Sequence, residues 1–296
     1  MSVKILSFKE KLEKGLFVWT TEVGPPKGVN MEPVFGELES VRGKVDAVNV
    51  TDQQSAVMRM GPIAAGKALI DRGYEPICQF TCRDRNRIAL QSDLLSAYAL
   101  GIRNILIMTG DHPLLGDHPQ AKPVYDLDSI TLLSAANGLE GGVDMAGKKL
   151  NASPVFYAGG VVNPGAEPLE PELIKMEKKI SRGAKFFQTQ AIFNLDIFGK
   201  FIEAIKPFRA RIKLLGGIVP LRSVKMAEYM NANIPGVFIP DEVIERLRGA
   251  SDIEKESVAI SAELVEKLRP VCDGIHFMPI KGNHLVARIL EKVGSK

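Results

Sequence analysis

Cysteine is scarce in this sequence: Cys78, Cys82 and Cys272 are the three that 296 residues contain. An odd number at that density excludes the disulfide framework of a small secreted domain and fits a reducing, cytoplasmic setting. Histidine is almost as rare, with four residues and no pair at metal-ligand spacing, and no Ser-His-Asp grouping is evident. His112 and His118 share a Pro-rich loop but have no close ligand partners, so no metal site is expected. No apolar run is long enough to span a bilayer, and the opening MSVKILSFKEKLEKG carries too many charges for a signal peptide. Neither sign of charge dominates: 38 basic and 35 acidic residues are mixed along the chain, and no basic tract marks a nucleic-acid footprint. A G-x-x-x-x-G-K-[ST] phosphate loop and a dinucleotide fingerprint are missing as well.

What remains is an ordinary globular composition, 45% hydrophobic and 25% charged, able to bury a large core. The length suits one (β/α)8 barrel or two smaller domains. Strand-like apolar runs occur at 17–23, 46–50, 76–80, 104–108, 154–158, 185–190, 212–217 and 274–277. Most are apolar on both faces, the pattern of parallel strands covered on each side. Between them, 56–72, 87–100, 171–182, 195–205 and 254–269 carry apolar residues at three-and-four spacing. Eight strand–helix units in succession predict a single-domain (β/α)8 TIM barrel over 1–296, an α/β fold. Segments 115–124 and 234–251 read as insertions, the second holding a Pro-bounded helix.

In a barrel the chemistry is built at the carboxyl ends of the strands. Glu22 stands there on strand one, followed by the Gly24-Pro25-Pro26 stop, which a sheet ladder cannot continue. Strand two ends in Asn49, Thr51, Asp52 and Gln53; strand three in Gln79, Thr81 and Arg83; strand four in Thr109, Gly110, Asp111 and His112. Strand six offers Gln188, Thr189 and Gln190, after a Gly-rich loop read at 158–164 that includes Gly159 and Gly160. Bland roles exist for each: Asp111 suits an Asx turn before Pro113, Thr51 a helix cap, Gln190 a satisfied core amide. Cys78 and Cys82 share one strand face and read as small buried residues in preference to a redox pair. Lys178 and Lys179 complement a helix C-terminus. A carboxyl on the Trp19-bearing strand is expected to be partly desolvated, as a general acid working near neutral pH requires.

The strings TTEVGPP, VNVTD, CQFTCRDRNR, LIMTGDHP, YAGGVVNP, PELIKMEKKISRGAKFFQTQ and LLGGIVPL, in this order, resemble the flavin-dependent methylenetetrahydrofolate reductases in their short bacterial catalytic-barrel form. The resemblance runs from about Phe17 to the last helix. It implies reduction of 5,10-methylenetetrahydrofolate to 5-methyltetrahydrofolate by hydride from a reduced flavin, FAD or else FMN. Glu22 matches the family's general acid, Asp111 a carboxylate beside flavin and pterin, and Gln190 a pterin contact. Thr51, Gly110, Tyr125, Asp126, Asn163, Glu172 and Lys179 fall at flavin-contacting positions, Lys179 toward the pyrophosphate; Gly159 is counted with them. Gln79 and Thr109 stand at two further flavin-contacting positions where histidine and arginine are common. Val224 replaces an aromatic residue, and Gly282 an arginine that holds the folate glutamate. The resemblance also implies an oligomer, with electrons from NAD(P)H or from an electron-supplying partner protein. Two other readings stay open: a flavin-free pterin-binding (β/α)8 methyltransferase, and a flavin-carrying subunit of an electron-transfer complex.

Overall fold

The structure is a computed structural model that describes residues 6–294. Its strands are β1 (Val18–Val23), β2 (Ala47–Val50), β3 (Pro76–Thr81), β4 (Asn104–Met108), β5 (Tyr157–Val162), β6 (Phe186–Ala191), β7 (Lys213–Ile218) and β8 (Gly274–Phe277). Each pairs in parallel with its sequence neighbour and β8 returns to β1, so the sheet closes into an eight-stranded barrel. The single-domain barrel architecture read from the sequence is the one observed.

Side chains alternate along each strand, which sorts the chain into an outer and an inner layer. The outer residues pack under α3 (Pro62–Asp71), α4 (Arg87–Ala99), α5 (Ser129–Glu140), α6 (Glu170–Ser181), α7 (Leu195–Ala204) and α10 (Ile253–Leu268). Inside, the lower end is apolar: Val18, Ala47, Ile77, Leu106, Tyr157, Phe186 and Leu215 form one cluster. The helix α1 (Phe8–Glu13) plugs that end with Phe8 and Leu12. The Phe8 ring meets Phe186 edge-on at 5.3 Å, Tyr157 stacks on Phe186 at 5.4 Å, and the Phe8 N–H donates to Glu75 at 2.9 Å. Two residues further along the strands the interior turns polar, with Thr20, Asn49, Gln79, Gln188 and His276.

Several expected bounds need correction. Strand five lies at Tyr157–Val162 and not at 154–158, so Gly159 and Gly160 are strand residues and not loop. The reason is packing: a Cβ on Gly159 would lie 2.4 Å from the Phe186 ring, so the strand carries glycine where a neighbour's ring takes the side-chain space. The helix expected from 56 begins at Pro62, because 54–56 forms a single tight turn with Ser55 and Ala56 both at φ 56°. The helices α2 (Glu32–Glu39), α8 (Val224–Asn233) and α11 (Asn283–Lys292) were not expected; α9 (Asp241–Gly249) is the helix of the second insertion. Cys78, Cys82 and Cys272 are free and buried, and burial pushes the Cys82 and Cys272 thiols up to about 12. Among the described residues no helix is long and apolar enough to cross a membrane.

Candidate active site

A cavity of about 520 Å³ opens at the carboxyl ends of the strands. Its floor is a side-chain pair spanning the barrel: Asn49 on β2 donates to Gln188 on β6 at 2.6 Å, and Gln188 donates back at 3.1 Å. The two buried amides satisfy each other and leave the space above to residues one step further along the strands.

Ten of the thirteen residues to which the family resemblance gives a site role line this cavity: Glu22, Thr51, Gln79, Thr109, Gly110, Asp111, Asn163, Glu172, Lys179 and Gln190. Glu22 is held between two elements. One carboxyl oxygen accepts from Gln54 at 3.4 Å, the other lies 3.7 Å from His276 Nε2, and the side chain is 12% exposed. Trp19 contributes nothing to that shelter. It lies an odd number of residues away, on the outer face, where it stacks on Phe277 at 6.2 Å. The hydroxyl of Thr51 is buried and has no hydrogen-bond partner among the described residues. The neighbouring Asp52, also in the lining, accepts from the Thr81 N–H and hydroxyl and pairs with Arg85. Burial pushes its carboxyl up, against the opposing pull of Arg85.

The turn after β4 is shaped by Gly110, at φ 91°, where a Cβ would lie 2.9 Å from Thr81 Cβ. Arg83 donates to the Asp111 carbonyl at 3.4 Å and Tyr125 to the Gly110 carbonyl at 3.2 Å, so both brace the turn that carries Asp111. Tyr125 therefore acts on the cavity from behind and does not line it. Asp126 does not line it either: it accepts from the Arg87 backbone and guanidinium, which hold its carboxyl down at about 2. Gly159 lies against Phe186, away from the lining.

On the far wall Glu172 accepts from the Asn163 N–H at 3.0 Å, and the Lys179 amine donates to the Val161 carbonyl at 2.7 Å. Burial lowers the pKa of Lys179, with Glu172 opposing. Gln190 reaches the cavity through a bulge: between Gln188 and Ala191 the β6–β7 register slips by one residue. The Thr189 hydroxyl takes the Gly217 N–H at 2.8 Å in place of a ladder bond. Sequence reasoning missed His276, Met278, Asp128 and Lys175, which also line the cavity. No local sequence signal marked His276, a lone histidine in the short apolar strand β8.

A family model described as methylenetetrahydrofolate reductase matches residues 7–294. The chain belongs to that family. Similar proteins include methylenetetrahydrofolate reductase 2 of Schizosaccharomyces pombe, 23% identical over 312 aligned positions that cover 99% of this chain and 48% of the relative. The 5,10-methylenetetrahydrofolate reductase of Escherichia coli is 24% identical over 82% of this chain and 77% of its own. The chain thus spans about half the length of the fission-yeast relative. Among solved structures, an uncharacterized protein from Clostridium thermocellum that binds two copies of 5-methyl-5,6,7,8-tetrahydrofolic acid shares the fold, with a TM-score of 0.65, 18% identity and 97% of each chain covered.

Proposed function

We propose that this chain catalyses flavin-dependent reduction of 5,10-methylenetetrahydrofolate to 5-methyltetrahydrofolate, with Glu22 as general acid. The observation that carries the reading is the convergence of Glu22, Asp111 and Gln190 on one cavity in a barrel of this family. That a structural neighbour binds methyltetrahydrofolate supports a folate as the ligand class.

Glu22 would protonate N10 of the folate; the bond from N10 to the bridging methylene carbon breaks, its electrons go to N10, and a cationic iminium remains at N5. The carboxyl group of Asp111, in the cavity lining, would face that cation and stabilise it. The Gln190 carbonyl oxygen accepts from the Ala191 N–H at 3.1 Å, which leaves its NH₂ group to hold the pterin edge. A reduced flavin, when bound, supplies the hydride. The residues present fit such a group. The unpartnered Thr51 hydroxyl offers it a hydrogen bond, and Lys175 and Lys179 provide cationic groups for phosphate. Gln79 and Thr109 supply amide and hydroxyl where a ring nitrogen and a guanidinium would serve a longer dinucleotide, which is why FMN stands beside FAD. Electrons come from NAD(P)H or from a partner protein.

Purifying the chain without added cofactor, recording its visible spectrum and identifying released flavin by chromatography tests this reading. A bound flavin is expected. A colourless protein that takes up neither FAD nor FMN would overturn it in favour of a flavin-free pterin enzyme.

A further inference from the structure

His276 stands on β8 directly beneath Glu22, 2% exposed and lining the cavity. A buried imidazole needs partners for both nitrogens, and here the partners are different in kind. Nδ1 lies 3.0 Å from the Thr20 hydroxyl on β1. That hydroxyl has one proton, and it lies 3.3 Å from the Ile275 carbonyl, which can only accept. Both contacts are hydrogen bonds only if the hydroxyl gives its proton to the carbonyl and accepts from Nδ1, and we assign the ring on that basis: Nδ1 carries the hydrogen. Nε2 of the neutral ring is then a bare lone pair, and it faces a Glu22 oxygen at 3.7 Å.

A bare lone pair and an ionised carboxylate repel at that separation. The arrangement is favourable when one proton lies between them, on the carboxyl or on the ring. We propose that His276 is the positioning residue for Glu22, holding with it the shared proton that Glu22 delivers to the substrate. At 3.7 Å the two groups are within ion-pair range but beyond a hydrogen bond, and contacts of this kind commonly tighten when substrate binds. Gln54 on the second carboxyl oxygen fixes the other end of the group, so the carboxyl is oriented from both sides. The remaining charged groups of the lining, Asp52, Arg83, Asp111, Asp128, Glu172, Lys175 and Lys179, come from α6 and the loops that follow β2, β3 and β4, and none of them forms a hydrogen bond or ion pair with His276 or Glu22. The inference rests on the reading of Glu22 as the acid.

The test combines a spectroscopic measurement on the folded protein with two substitutions. In ¹⁵N-histidine NMR, Nδ1 of His276 should be protonated, and Glu22→Gln should shift the Nε2 resonance toward that of a plain acceptor. His276→Gln places a nitrogen where Nε2 stood and His276→Asn where Nδ1 stood. If the Nε2 contact matters, Asn lowers kcat for methyltetrahydrofolate formation by roughly 10²-fold, the scale of a misplaced catalytic group, while Gln loses about tenfold. Folate affinity stays unchanged in both. A His276 resonance indifferent to Glu22→Gln, or an Asn variant as active as the Gln variant, overturns the proposal. The two readings fail separately: a coupled Nε2 in a protein that forms no methyltetrahydrofolate sinks the reductase reading and leaves the pair intact, whereas an uncoupled ring in an active protein sinks the pair alone.

Discussion

Lys179 is 5% exposed, and its stem passes Gly160 closely enough that a Cβ there would lie 3.3 Å from Lys179 Cδ. Because burial lowers its pKa from 10.5, the native protein gives up this proton at a lower pH than the unfolded chain does. Between the two values the unfolded state binds more protons, so stability should rise with pH across that window and level off above 10.5. Lys179→Met keeps the stem and removes the charge. Urea midpoints measured as pH climbs toward 10.5 should slope upward for the native protein and less for the variant; equal slopes would contradict the assignment. At this scale the sequence was informative where a carboxylate stood at or just past the end of an apolar strand beside a Gly or Pro stop, as at Glu22 and Asp111. It was silent about His276, because a lone histidine in a short apolar strand looks the same whether it faces a core or a cavity. It misled at Trp19, where parity along the strand, not nearness in sequence, decides which face a side chain shares.

The bulge in β6 is the element that brings Gln190 into play. It depends on Gly217, where a Cβ would lie 2.4 Å from the Thr189 carbonyl oxygen and 2.8 Å from Met278 Cε. Gly217→Ala must therefore push the bulge or the β8 end aside, at a cost of about 1–3 kcal/mol, the usual scale for overpacking a tight core. Folate binding should weaken with it, since Gln190 moves with the bulge. Urea denaturation and calorimetric titration with 5-methyltetrahydrofolate check both parts; a variant with native stability and affinity would mean that β6 tolerates the displacement. Most element bounds were legible because parallel strands are short apolar runs and covering helices keep three-and-four spacing. The failures have physical causes. In β5 two glycines look like a loop until the Phe186 ring and the Lys179 stem are seen to occupy their side-chain space. α8 has only Ala227 and Met230 buried, so it presents little apolar periodicity. α11 keeps a clear stripe of Leu285, Val286, Ile289 and Leu290, but over ten residues behind a glycine that forms no side-chain cap.

At the scale of the whole molecule the barrel divides into two halves along its axis. The lower interior, plugged by α1, is apolar and carries the packing; the upper interior is polar and carries the site. That division explains why ten scattered sequence positions converge: eight lie on the strands or the turns after them, Glu172 and Lys179 reach in from α6, and barrel closure brings the strand ends to one mouth. The same closure brings β8 beside β1, and so His276 beneath Glu22, two residues 254 positions apart in the chain. Such a pairing is a property of the closed sheet and has no local trace in the sequence.

The central claim is that Glu22 gives the proton that opens the folate ring. The most direct test is single-turnover formation of 5-methyltetrahydrofolate by the reduced, flavin-loaded protein and by its Glu22→Gln variant, with flavin content and folate affinity measured in the same preparations. The variant should keep both ligands and lose roughly 10²–10⁴ in rate, the range typical of removing a general acid. A variant that turns over at the native rate with both ligands bound would contradict the account.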